Sequence, residues 1–333
     1  MGGFSYDRND YDDSSSSGWG SSSSYSPSSS YSAKADKKMG ARCLDNKMKA
    51  DKRVKSGSKN PIVICLDVTG SNIDFAKIVY DKMPMFYGQI EEQGYLDDFD
   101  ICFMACGDAN SDSYPLQVCN FEKGVKIDEW LESIVLESGG GGQKKETYEM
   151  AAYYMLNNMD FEPGSRPIVF FLGDEGYYSN VDIALMERKT GYKEPDSKEK
   201  KEDPDSLQVF KDLRKKCNDN VFMMLSPYES YLGAYVGKDI RDQWEKTMAE
   251  GHVIPVNEDK AIIDLLLGVI ALVSQTRTLD TYKIDMGNRD QTQARISTVG
   301  KSLDSLSTAL AVVNVSAPAL TAEKKTASRG KRL

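Results

Sequence analysis

One stretch constrains this chain more than any other: Pro61-Ile-Val-Ile-Cys-Leu-Asp67-Val-Thr69-Gly-Ser71. An apolar run goes straight into an acid, and two hydroxyls follow at two-residue spacing. The run is short and bounded by turn residues, so it reads as a strand buried on both faces. It delivers three oxygen donors to one point at its C-terminal end, and oxygen is what a hard divalent cation binds. Beyond Ser71 the apolar residues Ile73, Ala76, Val79, Met83, Phe86 and Ile90 are mostly three or four apart, which predicts a helix. Strand, polar turn and helix therefore meet where open parallel sheets hold their ligands.

The alternation continues. Phe99 to Cys106 reads as a second buried strand ending in Gly107-Asp108-Ala109, and residues 115 to 121 as a short alternating edge strand. Ile127, Trp130, Leu131 and Ile134 have helical spacing, as do Tyr148, Ala151, Ala152, Met155 and Leu156; between them lies the glycine run 139 to 142. Pro167 to Leu172 is a third buried strand and, like the first, it runs into an acid, Asp174. The charged stretch Glu187 to Asp205 reads as a surface loop. Leu207, Phe210 and Leu213 then mark a helix, Val221 to Leu225 a strand, Ile240, Trp244 and Met248 a helix, Val253 to Val256 a last short strand, and Ala261 to Val273 a closing apolar helix. Six strands alternating with helices predict a doubly wound, mostly parallel α/β sheet with helices on both faces.

The ends of the chain have a different composition. Residues 1 to 33 mix Ser, Gly and Asp with Tyr6, Tyr11, Trp19, Tyr25 and Tyr31, too little apolar surface to offset ordering entropy. Residues 34 to 59 read as a Lys-rich linker with a short marginal helix, and the chain beyond about Asp285 as a polar tail ending in Lys324, Lys325, Arg329, Lys331 and Arg332. The expected organisation is thus a disordered tail and linker over 1–59, one domain over 60–285 and a C-terminal tail over 286–333. A net charge of -9 argues against a general nucleic-acid binder, which needs clustered positive charge. No stretch reaches the roughly 18 apolar residues of a membrane span, and the N-terminus lacks the pattern of a signal peptide. Six cysteines without a CxxC pair, several inside apolar runs, read as reduced and buried, and a cytoplasmic location follows as an expectation.

Asp67, Thr69 and Ser71 come from one strand end and Asp174 from another. If those strands are neighbours, all four donors meet at one rim, and Thr147, just after the glycine run, reaches the same place. Two carboxylates, three hydroxyls and water complete the near-octahedral oxygen shell of Mg2+; Mn2+ and Ca2+ suit the same donors. The plainer reading makes Asp67 and Thr69 a helix cap and the glycines mere spacing. A cap accounts for one residue and not for the set. Asp108 and Glu175 lie beside the expected rim, either supporting the ligands or simply ending their strands.

These residues resemble the metal-ion-dependent adhesion site of the von Willebrand factor A domain family, which has the form Asp-x-Ser/Thr-x-Ser, then a Thr, then an Asp. Asp67, Thr69 and Ser71 match the first element, with Thr for the commoner Ser, Thr147 the second and Asp174 the third. The chain is similar to a bacterial intracellular branch of that family through Leu66-Asp-Val-Thr-Gly-Ser71, Gly107-Asp108-Ala109, Pro115-Leu-Gln-Val118, the 139–147 loop with Tyr148-Glu149, and Gly173-Asp174-Glu175. Asn72 stands where that branch often has Met. The resemblance covers about residues 60 to 285 and implies a Rossmann-like sheet and a cation that bridges to an Asp or Glu of a protein partner, with no catalysis.

Two other functions stay open. A metal-dependent phosphohydrolase or nucleotide-binding enzyme is disfavoured: Thr69 stands where a phosphoaspartyl hydrolase has its second Asp, no phosphate-binding Gly-x-x-x-x-Gly-Lys-Ser/Thr loop exists, and the single His252 has no visible catalytic companions. A scaffold that self-associates through its Tyr/Ser tail is the third reading. The sequence leaves the oligomeric state open.

Overall fold

The computed structural model describes residues 49–124, 126–137, 144–193, 202–227 and 233–316. Its centre is a six-stranded sheet: β1 (Asn60–Asp67), β2 (Phe99–Cys106), β3 (Leu116–Val118), β4 (Ile168–Gly173), β5 (Val221–Leu225) and β6 (Val253–Pro255). The strand order is β6-β5-β4-β1-β2-β3. Every neighbouring pair is parallel except β2 and β3, which are antiparallel, so the predicted edge strand is the one that breaks the pattern. All residues of β1, β2, β4 and β5 are buried, which is why their sequences are continuous apolar runs rather than alternations. Edge strand β3 is buried too, and its buried Gln117 is satisfied by pairing its side-chain amide with both backbone groups of Val135 at 2.8 Å.

Nine helices are described: α1 (Ile73–Gln93), α2 (Lys126–Leu131), α3 (Tyr148–Asn158), α4 (Ile183–Thr190), α5 (Ser206–Lys216), α6 (Gly233–Thr247), α7 (Ile262–Val273), α8 (Leu279–Asn288) and α9 (Gln293–Ser316). Eight of them form two packed groups, α1 with α2, α7, α8 and α9, and α3 with α5 and α6. Such layering is what a parallel sheet buried on both faces requires. The face predicted for α1 is the one it buries: Ala76, Val79, Met83, Phe86 and Ile90 are all in the core. Gly94, in the left-handed region at φ 63°, ends that helix.

Three expectations need correction. The loop expected over Glu187 to Asp205 is partly helix: α4 reaches Thr190, started by Asp182, whose carboxylate accepts the Leu185 N–H at 2.7 Å, and ended by left-handed Gly191. The polar tail expected beyond Asp285 is mostly helical, α8 to Asn288 and α9 from Gln293 to Ser316, and Met286, Ile296, Val299, Leu303 and Leu306 are buried in the core. The linker expected up to residue 59 is packed from residue 49 onward. Val54–Lys55 pairs in parallel with Met159–Asp160, and the Ser56 and Ser58 hydroxyls each donate to Asp100 Oδ1 at 2.7 Å. Residues 1–48, the glycine run 139–142, and the basic end 324–332 lie outside the described residues, so the tail and its Tyr pattern do too.

Candidate metal centre

Strand order settles which side chains share a rim. β1 lies between β2 and β4, with Asp67 opposite Cys106 and Leu66 opposite Leu172, so the ends of all three strands stand side by side. Asp67 is fully buried there. Its Oδ1 accepts the Thr69 N–H at 2.9 Å and the Thr69 hydroxyl at 2.6 Å, and its Oδ2 accepts the Tyr148 hydroxyl at 2.9 Å. The Asn72 side chain donates to the Asp67 carbonyl at 3.2 Å, tying the turn to the strand it leaves.

Glycines flank Asp67 on both sides for a steric reason. A Cβ on Gly173, at the end of β4, would stand 1.8 Å from the Tyr148 hydroxyl oxygen and 2.9 Å from the Asp67 Cβ. A Cβ on Gly107, just past β2, would stand 2.4 Å from Asp112 Oδ2 and 3.3 Å from the Thr69 Cγ2. Real Cβ atoms do not approach so closely, so both positions admit only glycine while Asp67 and its partners hold this arrangement.

Thr147 precedes α3, yet its side chain makes no cap bond to that helix. Its hydroxyl donates instead across to the Gly107 carbonyl at 2.5 Å, where its own N–H also bonds at 3.1 Å. Thr69 likewise makes no cap bond. The cap reading of Asp67 and Thr69 therefore does not account for the Thr69 hydroxyl. Asp174 and Glu175 follow Gly173 and are both buried; the Glu175 carbonyl accepts the Trp244 indole N–H at 2.9 Å. Ser71 joins the turn Gly70–Asn72 through its backbone, and its side chain lies outside the described residues. Asp108 is buried and engaged in its own loop: Oδ1 accepts the Asn110 N–H and side-chain amide at 3.0 Å each and the Tyr178 hydroxyl at 3.1 Å, and Oδ2 accepts the Ser111 hydroxyl at 3.2 Å.

Three further groups belong to this rim that the sequence reading did not single out. Tyr148, which the sequence places on a helix face and in the family resemblance without a role at the site, anchors Asp67. Asp112 accepts the Asp108 N–H at 2.7 Å, and burial pushes its carboxyl up to about 6. Glu146 is 3% exposed and forms, with Lys145, a short parallel ladder with Gly176–Tyr177. Burial, reinforced by the negative charges of Asp67, Glu175, Asp112 and Asp108, holds its carboxyl well above the ordinary range. Burial also raises Asp67, against the hydrogen bonds from Thr69 and Tyr148, which favour its charged form. The signal available for Glu146 was its position next to Thr147; for Tyr148 it was only the Tyr148-Glu149 pair in the resemblance, which assigns no role, because a buried Tyr on a helix face looks like any core residue.

The donor set fits a hard cation. Both threonine hydroxyls spend their protons on protein acceptors, which leaves their oxygen lone pairs free to face an ion. The concentration of acids calls for positive charge, and Glu146 Oε2 is buried without a hydrogen-bond partner among the described residues. No three His, Cys, Asp or Glu side chains among the described residues stand together as a ready set of ligands, so an ion here would depend on hydroxyls and water beside its carboxylates. His252 is remote from this chemistry. It directly precedes β6, at the opposite end of the parallel strands from Asp67, stacked on Phe222 at 4.4 Å with its Nδ1 3.2 Å from the Val221 carbonyl.

No family model and no curated protein matches the chain. Solved structures do. The pilus adhesin SpaC from Lactobacillus rhamnosus GG matches at 12% identity and a TM-score of 0.45 over 67% of this chain and 32% of the adhesin chain. Proximal thread matrix protein 1 from the mussel byssus, solved with a zinc-occupied MIDAS motif, matches at 11% identity and a TM-score of 0.40 over 66% of this chain and 49% of its own. The chain thus spans about a third to a half of the proteins it matches. Likeness at this distance says nothing of function, and the assignment of a six-stranded α/β fold rests on the strand order and registers given above.

Proposed function

We propose that the rim at the end of β1 binds a divalent cation, Mg2+ in the first instance, and that the chain is a cation-dependent protein-binding module of the kind found in the von Willebrand factor A family. Asp67, Thr69, Ser71, Thr147 and Asp174 would hold the ion. The observation that carries this reading is the buried Asp67 carboxylate, fixed by Thr69 and Tyr148 and sharing its rim with Glu146, on which the charges of Asp67, Glu175, Asp112 and Asp108 all bear. The ion would supply an open coordination position for an Asp or Glu of the partner. The chain's own residues do the rest. Tyr148 and Thr69 fix the direction of the Asp67 carboxylate, Thr147 braces the end of β2, and the burial of the whole group lowers the local dielectric, so that a partner carboxylate gains more than it would in water.

Five buried thiols, Cys65, Cys102, Cys106, Cys119 and Cys217, agree with a reducing, cytoplasmic setting, and among the described residues no helix is long and apolar enough to cross a membrane. An enzyme of the Ser-His-Asp type is not favoured, since the one histidine lies at the other end of the sheet. The test is calorimetric titration of metal-stripped protein with Mg2+ and Mn2+ beside Asp67→Ala and Asp174→Ala, with near-ultraviolet circular dichroism to verify folding. Saturable binding by the wild type and none by the folded variants is expected, and pull-downs with and without EDTA then identify the partner. A partner complex that survives both EDTA and Asp67→Ala refutes the reading.

A further inference from the structure

Glu146 has no part in the ligand set above, and it is the group at the rim that packing explains least. It stands directly before Thr147 in a two-residue strand, opposite Tyr177, and is 3% exposed. Its Oε2 is buried with no hydrogen-bond partner among the described residues. The charges that act on it most strongly are those of Asp67, Glu175, Asp112 and Asp108, all negative. A buried acid among acids, with a bare oxygen, is unfavourable unless something positive or hydrogen-donating completes it. A glutamine would fill the same volume without that penalty, so the volume alone does not call for a carboxylate. Because no three acids are grouped as direct ligands, Glu146 fits a place one layer out, where carboxylates orient the groups around an ion and tune its affinity.

We infer that Glu146 is a positioning residue of the cation site, acting on the ion through water and setting how tightly the site holds a divalent cation. The inference rests on the cation reading given above. Its test uses the full chain stripped of metal, with Mn2+ as the probe, in wild type, Glu146→Gln and Glu146→Asp. Binding is read by calorimetry and by the loss of the free Mn2+ electron paramagnetic resonance signal, and thermal unfolding is followed in EDTA. The Gln variant is expected to weaken Mn2+ binding about tenfold to a hundredfold, as other outer partners of metal sites do. Its melting temperature in EDTA should stand at or above the wild-type value, and the Asp variant, which keeps the charge, should recover part of the affinity. Wild type and Gln variant binding equally overturns the inference and leaves the cation reading standing. Equal weakening in folded Gln and Asp variants, or a Gln variant destabilised in EDTA, also overturns it, because shape rather than charge would then be what matters. A wild-type chain that takes up no Mn2+ overturns both readings together.

Discussion

Gly173→Ala is the sharpest test of how Asp67 is held. The added methyl would stand 1.8 Å from the Tyr148 hydroxyl oxygen and 2.9 Å from the Asp67 Cβ, so either the tyrosine or the strand end must shift. Overpacking of this kind costs about 1–3 kcal/mol, and losing the Tyr148 hydrogen bond to a carboxylate adds about 1.5–3 kcal/mol. The single variant should therefore lose at least about 2.5 kcal/mol, which for a protein of this size lowers the melting temperature by at least about 5–10 °C. Tyr148→Phe alone loses only the hydrogen bond. In the double variant the methyl no longer meets a hydroxyl, and its nearest remaining contact is Asp67. The two losses should then fall short of additivity by at least about 1 kcal/mol, as expected of side chains in contact. The assay is urea unfolding of wild type, both single variants and the double variant in EDTA, so that no cation contributes. Additivity within about 0.5 kcal/mol, or a Gly173→Ala variant as stable as wild type, refutes the steric argument.

The C-terminal helices are clasped by a buried ion pair: Arg289 Nη1 lies 3.1 Å from Asp264 Oδ1, with both side chains almost wholly buried. Arg289→Leu leaves that acid with Arg295 at 3.7 Å and should cost about 3 kcal/mol in urea unfolding, whereas Arg289→Leu combined with Asp264→Leu should recover most of the loss; equal instability of the single and double variants would count against the pair. Burial lowers the pKa of His252, so the folded state keeps the ring neutral while the unfolded chain protonates near 6.5. Its contribution to stability is therefore present above about pH 6.5 and is lost as the pH falls through that value toward the depressed folded pKa. His252→Gln should flatten the slope of stability below about pH 6.5; parallel curves for variant and wild type would show that the ring does not titrate differently on folding.

Much of this architecture can be read from single residues. Asp67 and Asp174 are conspicuous because each ends an apolar run, and the run itself implies a strand buried on both faces, so the rim follows once those strands are adjacent. Adjacency is a nonlocal fact, supplied by the register between β1 and β4. The ladder at Val54–Lys55 depends on a partner more than a hundred residues away, and nothing in its Lys-rich surroundings announces it. Other misses were legible. Asp182 and Gly191 bracket α4 as cap residues, and Ile296, Val299, Leu303 and Leu306 keep helical spacing within a stretch whose polar composition hides it. Tyr148 and Glu146 were hidden for opposite reasons, one resembling ordinary core and the other the rim of a glycine loop.

Tension applied between Val54 and a ligand held at Asp67 would run straight down β1, which advances about 3.3 Å per residue. One end of that strand is moored by the Val54–Lys55 ladder and by Ser56 and Ser58 on Asp100, and the other end carries the rim. Between them β1 is paired with β2 from Asn60 to Asp67 and with β4 from Ile62 to Leu66. A pull along this line is borne by the covalent backbone of β1 itself, and the hydrogen bonds to β2 and β4 hold the strand in place without having to carry the load. A pull at right angles would open them one at a time. The central strand is thus a tie-rod between the chain's N-terminal segment and whatever the rim holds.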